Sequence, residues 1–358
     1  MESLKCRIRR DGPITFRDWM QAALYDSSLG YYNRPDLIRW GRAGDYRTSP
    51  ELSGLFAATF ARFFASLFHQ LGEPSHWTIV ESGAGNGEFA AGVLDAFRTS
   101  HPSIFKATRY VIDEQSAAAG RLARERLATI GRKVEFYSIG ETGNVNPGIF
   151  FSNELVDAFP VSLVTVENGE LRELYVAMDP EMRFTFLPGP PSTQRLAEFL
   201  NENSIDLREG QIIEVNLQVS DWVSAVAEKL TAGYVITVDY GAEQEDLYGL
   251  PERFKGTLRA FNRHRFVEVL SDPGDNDITA TVNWTQLRSV GEQAGLSCTS
   301  LTSLDQFLLR EGLLEELQLR LDSSNSDVEK LKLTTQARDL ILPTGMASHF
   351  QVMIQKRV

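Results

Sequence analysis

Cysteine is scarce: only Cys6 and Cys298 occur in 358 residues, near opposite ends and with no motif around either. That excludes a disulfide framework and a paired-thiol redox site. The five histidines are scattered without ligand spacing, and neither HExxH nor CxxC occurs, so no metal site is expected. Positive charge is short as well. The 36 Lys and Arg against 48 Asp and Glu leave a net charge of -12, which argues against nucleic acid as a partner, because such binders need cations to displace counterions from phosphates. An acidic enzyme suits a basic protein or peptide better. No run of about eighteen unbroken apolar residues is present, so no membrane span is expected. The most apolar stretch, 52–68, is interrupted by Arg62 and repeats its large side chains at helical spacing, as a core helix does. The opening MESLKCRIRRDGPITF has neither the apolar run of a secretion signal nor the length of an organelle presequence. A cytoplasmic protein is expected, or a mitochondrial matrix one if the chain is a processed form.

What is present reads as a large α/β unit with additions. Thr15 can cap a helix through FRDWMQAALY that ends near Gly30, and a loop rich in Gly, Pro and Arg follows. In TSPEL, Thr48 stands three residues before Glu51 in capping-box spacing, with Pro50 in the first turn. From Trp77 on, short β-branched runs alternate with helical stretches, the pattern of parallel strands joined by helical crossovers. The strands in order are WTIVES, TRYVIDE, KVEFYS, GIFFSNE and YVITVDYG. A hairpin, VSLVTVENGELRELYVAM, turns at Asn168 and Gly169. The last third holds a helix WTQLRSVGEQAGL, a strand LSCTSLTSL, helices from 305 to 342 broken at DSSNSD, and a closing strand HFQVMIQK.

ESGAGNG follows the first of these strands and opens a helix, where backbone amides can meet a ligand. It lacks the third glycine of a dinucleotide fingerprint, since Glu88 occupies the sixth position, and it lacks GK[ST]. Glu81 beside the turn would repel a phosphate but could pair with the ammonium of a methionine-derived ligand. Glu114 closes the second strand, where a carboxylate can accept hydrogen bonds from both hydroxyls of a ribose. Gly83, Gly85 and Gly87 with Glu81 and Glu114 therefore point to S-adenosylmethionine, and Asp113 reads as a solvated neighbour. After the fourth strand, SNELVDAFP lies at the sheet edge where ligands collect. If this segment turns helically, Glu154 and Asp157 face one side and could hold a guanidinium, or one of them could serve a hydroxyl or amine as base. The plainer alternative makes Asn153 a helix cap and Glu154 a first-turn acid. Gly44, Asp45 and Thr48 could lie against the ligand or form a capped loop. TLRAFNRHRF with SDPGDNDIT reads as a solvated surface loop, with a lid as the alternative.

GPITFRDWMQAALYDSSLGYY, GRAGDYRTSPELSGLF, ESGAGNGEFA, SNELVDAFPV, VDYG, TLRAFNRHR, DPGDNDITATVNW and LPTGMASHFQV, taken in order, resemble the MidA-type family of S-adenosylmethionine-dependent methyltransferases. Mitochondrial members of that family assist assembly of respiratory complex I. The resemblance spans nearly the whole chain. It implies a doubly wound α/β fold with the seven-stranded, Rossmann-like methyltransferase sheet, an N-terminal helical cap at 1–75, and a methyltransferase domain at 76–358 with insertions near 166–210 and 306–344. It also implies methylation of an arginine on a protein, for mitochondrial members a complex I subunit. Gly44, Asp45, Glu81, Gly83, Gly85, Glu114 and Asn153 would line the cofactor, with Glu154 and Asp157 near the acceptor. The departures are Ser82 and Asn86 for a leucine and a basic residue, SAAAG without the usual proline, and Ala347 for a glycine. A non-catalytic assembly chaperone that keeps S-adenosylmethionine as a structural ligand is the rival reading. The sequence leaves homodimerisation open.

Overall fold

The computed structural model describes residues 2–34, 37, 54–263, 265–342 and 349–357. Its chain starts with α1 (Glu2–Asp11), a two-residue strand β1 (Ile14–Thr15) and α2 (Phe16–Tyr25). Thr15 caps α2 as expected, its Oγ1 accepting from the Asp18 N–H at 3.1 Å. The helix stops at Tyr25, short of Gly30, because the Asp26 carboxylate takes up the Ser28 and Leu29 N–H groups and turns the chain.

Next comes α3 (Gly54–Gln70), apolar on nearly every side because it is sandwiched: twelve of its residues are buried. The alternating region then gives β2 (Trp77–Ser82), α4 (Glu88–Ser100), α5 (Pro102–Ala107), β3 (Thr108–Asp113), α6 (Ala117–Leu127), β4 (Val134–Phe136) and β5 (Gly148–Asn153). An antiparallel stretch follows, with β6 (Ser162–Glu167), β7 (Glu170–Met178), β8 (Phe184–Gly189), α7 (Arg195–Glu202) and β9 (Ile212–Val215). The chain continues through α8 (Gln218–Lys229), β10 (Gly233–Ala242), α9 (Gln244–Gly249), β11 (Arg259–Asn262), β12 (Arg265–Phe266), β13 (Asp277–Thr279) and β14 (Val282–Asn283). It ends with α10 (Trp284–Gln293), β15 (Ser297–Ser303), α11 (Leu304–Arg310), α12 (Leu313–Ser323), α13 (Asp327–Ile341) and β16 (Phe350–Arg357). The break between α12 and α13 falls at DSSNSD, where Ser326 caps α13.

The central sheet runs β15-β16-β10-β5-β2-β3-β4. Neighbouring pairs from β4 to β10 are parallel, with Val80 of β2 facing Val111 on one side and Phe150 on the other. β16 is antiparallel to both its neighbours, in register from Gly233 opposite Arg357 to Tyr240 opposite Phe350. The strand order reverses between β2 and β5, and a doubly wound sheet opens a ligand crevice at such a switch point.

Each face of this sheet buries one core. On one side α3, α4 and the C-terminal helices pack Phe56, Phe60, Phe64, Phe89 and Phe307 against Ile79, Phe151 and Ile236. On the other, α8 and α10 cover Val80, Phe150 and Val235 with Val223, Val226, Trp284 and Leu287. The expected hairpin turns at Asn168 and Gly169, both with positive φ, and belongs to a larger antiparallel sheet of order β1-β7-β6-β9 with β8 on β7. That sheet packs with α1, α2 and the β13 region around Phe16, Trp19, Leu163 and Ile278. Helices α1 and α2 therefore sit against this antiparallel sheet, and Tyr25 at the end of α2 reaches the space above the C-terminal ends of the central strands. Among the described residues, no helix is long and apolar enough to cross a membrane.

Candidate active site

A cavity of about 1150 Å³ opens over the C-terminal ends of β2, β3, β5 and β10. Glu81, Gly83, Gly85, Glu114, Asn153, Glu154 and Asp157 all line it. Gly87 does not. Gly44, Asp45 and Thr48 lie outside the described residues.

The turn after β2 is tied to the neighbouring strand. Gly83 N–H donates to the Asp113 carbonyl at 2.8 Å, and Gly85 N–H donates to Glu114 Oε2 at 2.8 Å. The other Glu114 oxygen accepts from Ser116 N–H at 2.6 Å. Gly83 has φ +72, and a Cβ there would come within 2.9 Å of the Leu155 side chain, so both conformation and space call for glycine. Gly87, with φ +75, is needed for a different reason. Its Cα faces Ala123 and Leu127 of α6, with a Cβ reaching 3.1 Å from each, so it lets two helices approach rather than touching the cavity.

The two unusual loop residues have partners. Ser82 Oγ donates to Asp113 Oδ2 at 2.9 Å, and Asn86 Oδ1 accepts from both Glu88 N–H and Arg126. Asp113 is thus no solvated neighbour: it lines the cavity, takes up Ser82 and the Ile139 N–H, and burial pushes its carboxyl above the usual range.

Glu81 is 4% exposed and accepts a hydrogen bond from Tyr110 Oη at 2.7 Å. Burial pushes its carboxyl up to about 8, with the Glu114 charge adding to the effect and the Tyr110 hydrogen bond opposing it. An adjacent cation would restore the ionised form.

No helix follows β5. The chain instead makes a turn in which Glu154 takes φ +52, a left-handed conformation unusual for a residue with a side chain. The turn is pinned: Glu154 N–H donates to the Val238 carbonyl, Asn153 Nδ2 donates to Glu154 Oε1 at 3.0 Å, and the N–H groups of Val156 and Asp157 both donate to Asp239 Oδ2. Asn153 therefore orients an acid rather than capping a helix, and its own Oδ1 is buried without a partner among the described residues.

Asp157 is 4% exposed, and its Oδ1 likewise has no hydrogen-bond partner among the described residues. Burial and the charge of Asp277 push its carboxyl up to about 7, against hydrogen bonds from Tyr240 and the backbone. Asp239, fully buried behind the turn, is raised well above the carboxylate range by burial and then by Asp157 and Glu154. The result is a negative, aromatic end of the cavity, with Tyr25, Tyr32, Trp222, Tyr240 and Phe261 in its wall.

Sequence reasoning missed Asp239, Asp277 and these aromatic residues. Asp239 was accessible to the rule that selected Glu81 and Glu114, since it too stands near the C-terminal end of a parallel strand. Asp277 lies in a three-residue strand with no periodic signal, and the segment read as a solvated loop brings Arg259, Phe261, Asp277 and Thr279 into the wall. His264 lies outside the described residues.

A parallel sheet with an antiparallel strand inserted beside β10, and a glycine turn held by the acid of the next strand, are the architecture of an S-adenosylmethionine-dependent methyltransferase. The Asn153 Oδ1 acceptor, buried and without a partner among the described residues, and the glycine cradle fit such a donor. The chain belongs to the family described as "Putative S-adenosyl-L-methionine-dependent methyltransferase", whose profile matches residues 59–302. It is similar to the protein arginine methyltransferase NDUFAF7, mitochondrial, of Danio rerio, at 27% identity over 98% of this chain and 85% of that one. The Homo sapiens protein of the same name is 24% identical over 98% of this chain and 81% of its own length. A crystal structure from Burkholderia thailandensis, bound to S-adenosyl-homocysteine, superposes with a TM-score of 0.85 at 28% identity, covering 99% of this chain and 91% of that one. The protein is an S-adenosylmethionine-dependent methyltransferase.

Proposed function

We propose that the acceptor is an arginine of a protein substrate, with Glu154 and Asp157 receiving the guanidinium while Glu81, Gly83, Gly85, Glu114 and Asn153 hold the methyl donor. The observation that carries this reading is the pair of acids Glu154 and Asp157 on the strained turn after β5, lining the cavity that the glycine turn also lines. When bound, S-adenosylmethionine supplies an electrophilic methyl group on sulfur. A guanidinium stays protonated at neutral pH, and carboxylates at two of its nitrogens draw the positive charge toward them. The third nitrogen is then left as a nucleophile held in line, which supplies most of what such a displacement needs. The new bond joins that nitrogen to the methyl carbon as the carbon–sulfur bond breaks. The proton released has an acceptor in Asp157, whose carboxyl is pushed up to about 7. Relatives that match nearly the full chain carry the name protein arginine methyltransferase, which supports the same reading.

Within the expected cap at 1–75, we also propose that the segment through α1, α2 and Tyr32 covers the acceptor side of 76–358, because Tyr25 and Tyr32 reach the cavity wall, whereas α3 packs on a face of the central sheet. The test of the acceptor is transfer of tritium from labelled donor to arginine-containing proteins, with methylarginine identified by mass spectrometry. Glu154→Gln is expected to lower transfer by about a hundredfold or more while S-adenosyl-homocysteine binding is kept. Label found only on lysine, carboxyl or small-molecule acceptors overturns the reading.

A further inference from the structure

Asp277 has no part in the reading above, yet the fold delivers it to the same end of the cavity. It opens β13, and the strand is fastened to the turn after β5 by Ala280 N–H, which donates to the Asp157 carbonyl at 2.9 Å. Asp277 is 7% exposed, lines the cavity with Asp157 and Glu154, and its Oδ1 accepts from Tyr32 Oη at 2.8 Å. Its charge raises Asp157, second only to burial, and adds a lesser contribution at Tyr25 and Tyr240. The fold thus brings two buried carboxyls within reach of each other's charge at the cavity wall, a setting in which a cation entering the cavity is favoured. One of them, Asp157, keeps an oxygen without a partner among the described residues.

The surroundings bear on which cation. Tyr25, Trp222, Tyr240 and Phe261 line the same space, and Arg259 of the protein itself lies over the Tyr240 ring at 5.3 Å. Flat ring faces suit a planar, weakly hydrated guanidinium better than a compact, strongly hydrated ammonium. A guanidinium also carries five donors in one plane, enough for carboxylates on two edges, whereas an ammonium acts as a point charge.

We infer that Asp277 is a specificity-determining residue for the acceptor: together with Asp157 it holds the guanidinium and selects arginine over lysine, with Tyr32 orienting it. This rests on the arginine reading of the same site. The probes are Nα-acetyl-arginine amide and Nα-acetyl-lysine amide, titrated by NMR into the full chain saturated with S-adenosyl-homocysteine. The arginine probe is expected to bind at least about tenfold more tightly than the lysine probe. Asp277→Asn should cut arginine-probe affinity by about tenfold or more and erase the preference, leaving S-adenosyl-homocysteine affinity within about twofold. Tyr32→Phe, which keeps the carboxylate but removes the hydrogen bond that Tyr32 donates to it, should cost the arginine probe about two- to fivefold and narrow its preference over the lysine probe by as much. Should Asp277→Asn not fold, Tyr32→Phe decides.

An arginine preference unchanged in Asp277→Asn, or in Tyr32→Phe where that variant decides, overturns this inference and leaves the arginine reading standing. A wild-type protein that binds S-adenosyl-homocysteine but shows no preference between the probes overturns both.

Discussion

Glu114 Oε2 accepts a hydrogen bond from the Gly85 N–H at 2.8 Å, so the acid that closes β3 grips the turn that follows β2. The same carboxylate spans to Ser116 N–H, at the entry to α6. One side chain thus couples the glycine turn to the next crossover, and a sugar edge seated there would meet a carboxylate already aimed by two backbone amides.

Glu114→Ala should therefore weaken S-adenosyl-homocysteine binding in calorimetry by about ten- to a hundredfold, the worth of one or two charge-assisted hydrogen bonds. The fold should survive, because Glu114 lies at the half-buried cavity edge rather than in either core. Binding within twofold of wild type would remove Glu114 from the ligand.

Glu81 yields a pH dependence. Its carboxyl sits at about 8 in the free protein, mainly through burial, so at pH 7 it is largely protonated. Pairing with the ammonium of the donor requires the ionised form. Binding at pH 7 should release close to one proton, and affinity should rise from pH 6 toward 8 by up to about tenfold per unit, levelling above that. Calorimetry at pH 7 in buffers of differing ionisation enthalpy reads the released proton directly. Glu81→Gln should abolish the release; a wild type that releases none sinks the assignment.

The turn after β5 stores strain at Glu154, where φ is +52. Glycine takes that conformation freely, and Glu154→Gly should leave thermal stability unchanged or raise it by about 0.5–1 kcal/mol, even with the Asn153 contact gone. Methyl transfer should fall by about a hundredfold or more. A variant that melts markedly lower would show the side chain to be structural instead.

Much of this is legible in the sequence. WTIVES, TRYVIDE and GIFFSNE announce parallel strands because both their faces are buried, and the closing HFQVMIQK shows the same density of apolar residues. That Glu81 and Glu114 line the cavity is legible because they stand at strand ends next to a turn that calls for glycine. Glu154 and Asp157 share a cavity wall by a route the sequence does not announce, through a strained turn and Asp239 rather than a helical face. Tyr25, Tyr32 and Asp277 were hidden because their positions depend on an antiparallel insertion and a three-residue strand, whose contacts are remote in sequence and leave no local period.

The core makes a demand unrelated to chemistry. Phe60 is fully buried on α3 and meets the rings of Phe56, Phe64, Phe89, Phe151 and Phe307 at 4.8–5.9 Å. Phe60→Ala should cost about 3–5 kcal/mol, measured by urea denaturation, because so many neighbours cannot all collapse into one hole.

Gly83 and Gly87 separate two uses of glycine within one motif. A methyl group at Gly83 would strike Leu155 at 2.9 Å, on the side of the turn that lines the cavity, and would strain a φ of +72. A methyl group at Gly87 would press on Ala123 and Leu127 at 3.1 Å, away from the cavity, and would strain a φ of +75 by a similar amount. Backbone strain should then cost both variants about 1–2 kcal/mol of stability. Only Gly83→Ala should displace the turn against the ligand, lowering S-adenosyl-homocysteine affinity by about tenfold or more, while Gly87→Ala keeps affinity within about threefold. Calorimetry on both, at a temperature where each is folded, decides it. If Gly87→Ala loses as much affinity as Gly83→Ala, the packing role assigned to Gly87 is wrong and the whole turn acts as one binding unit.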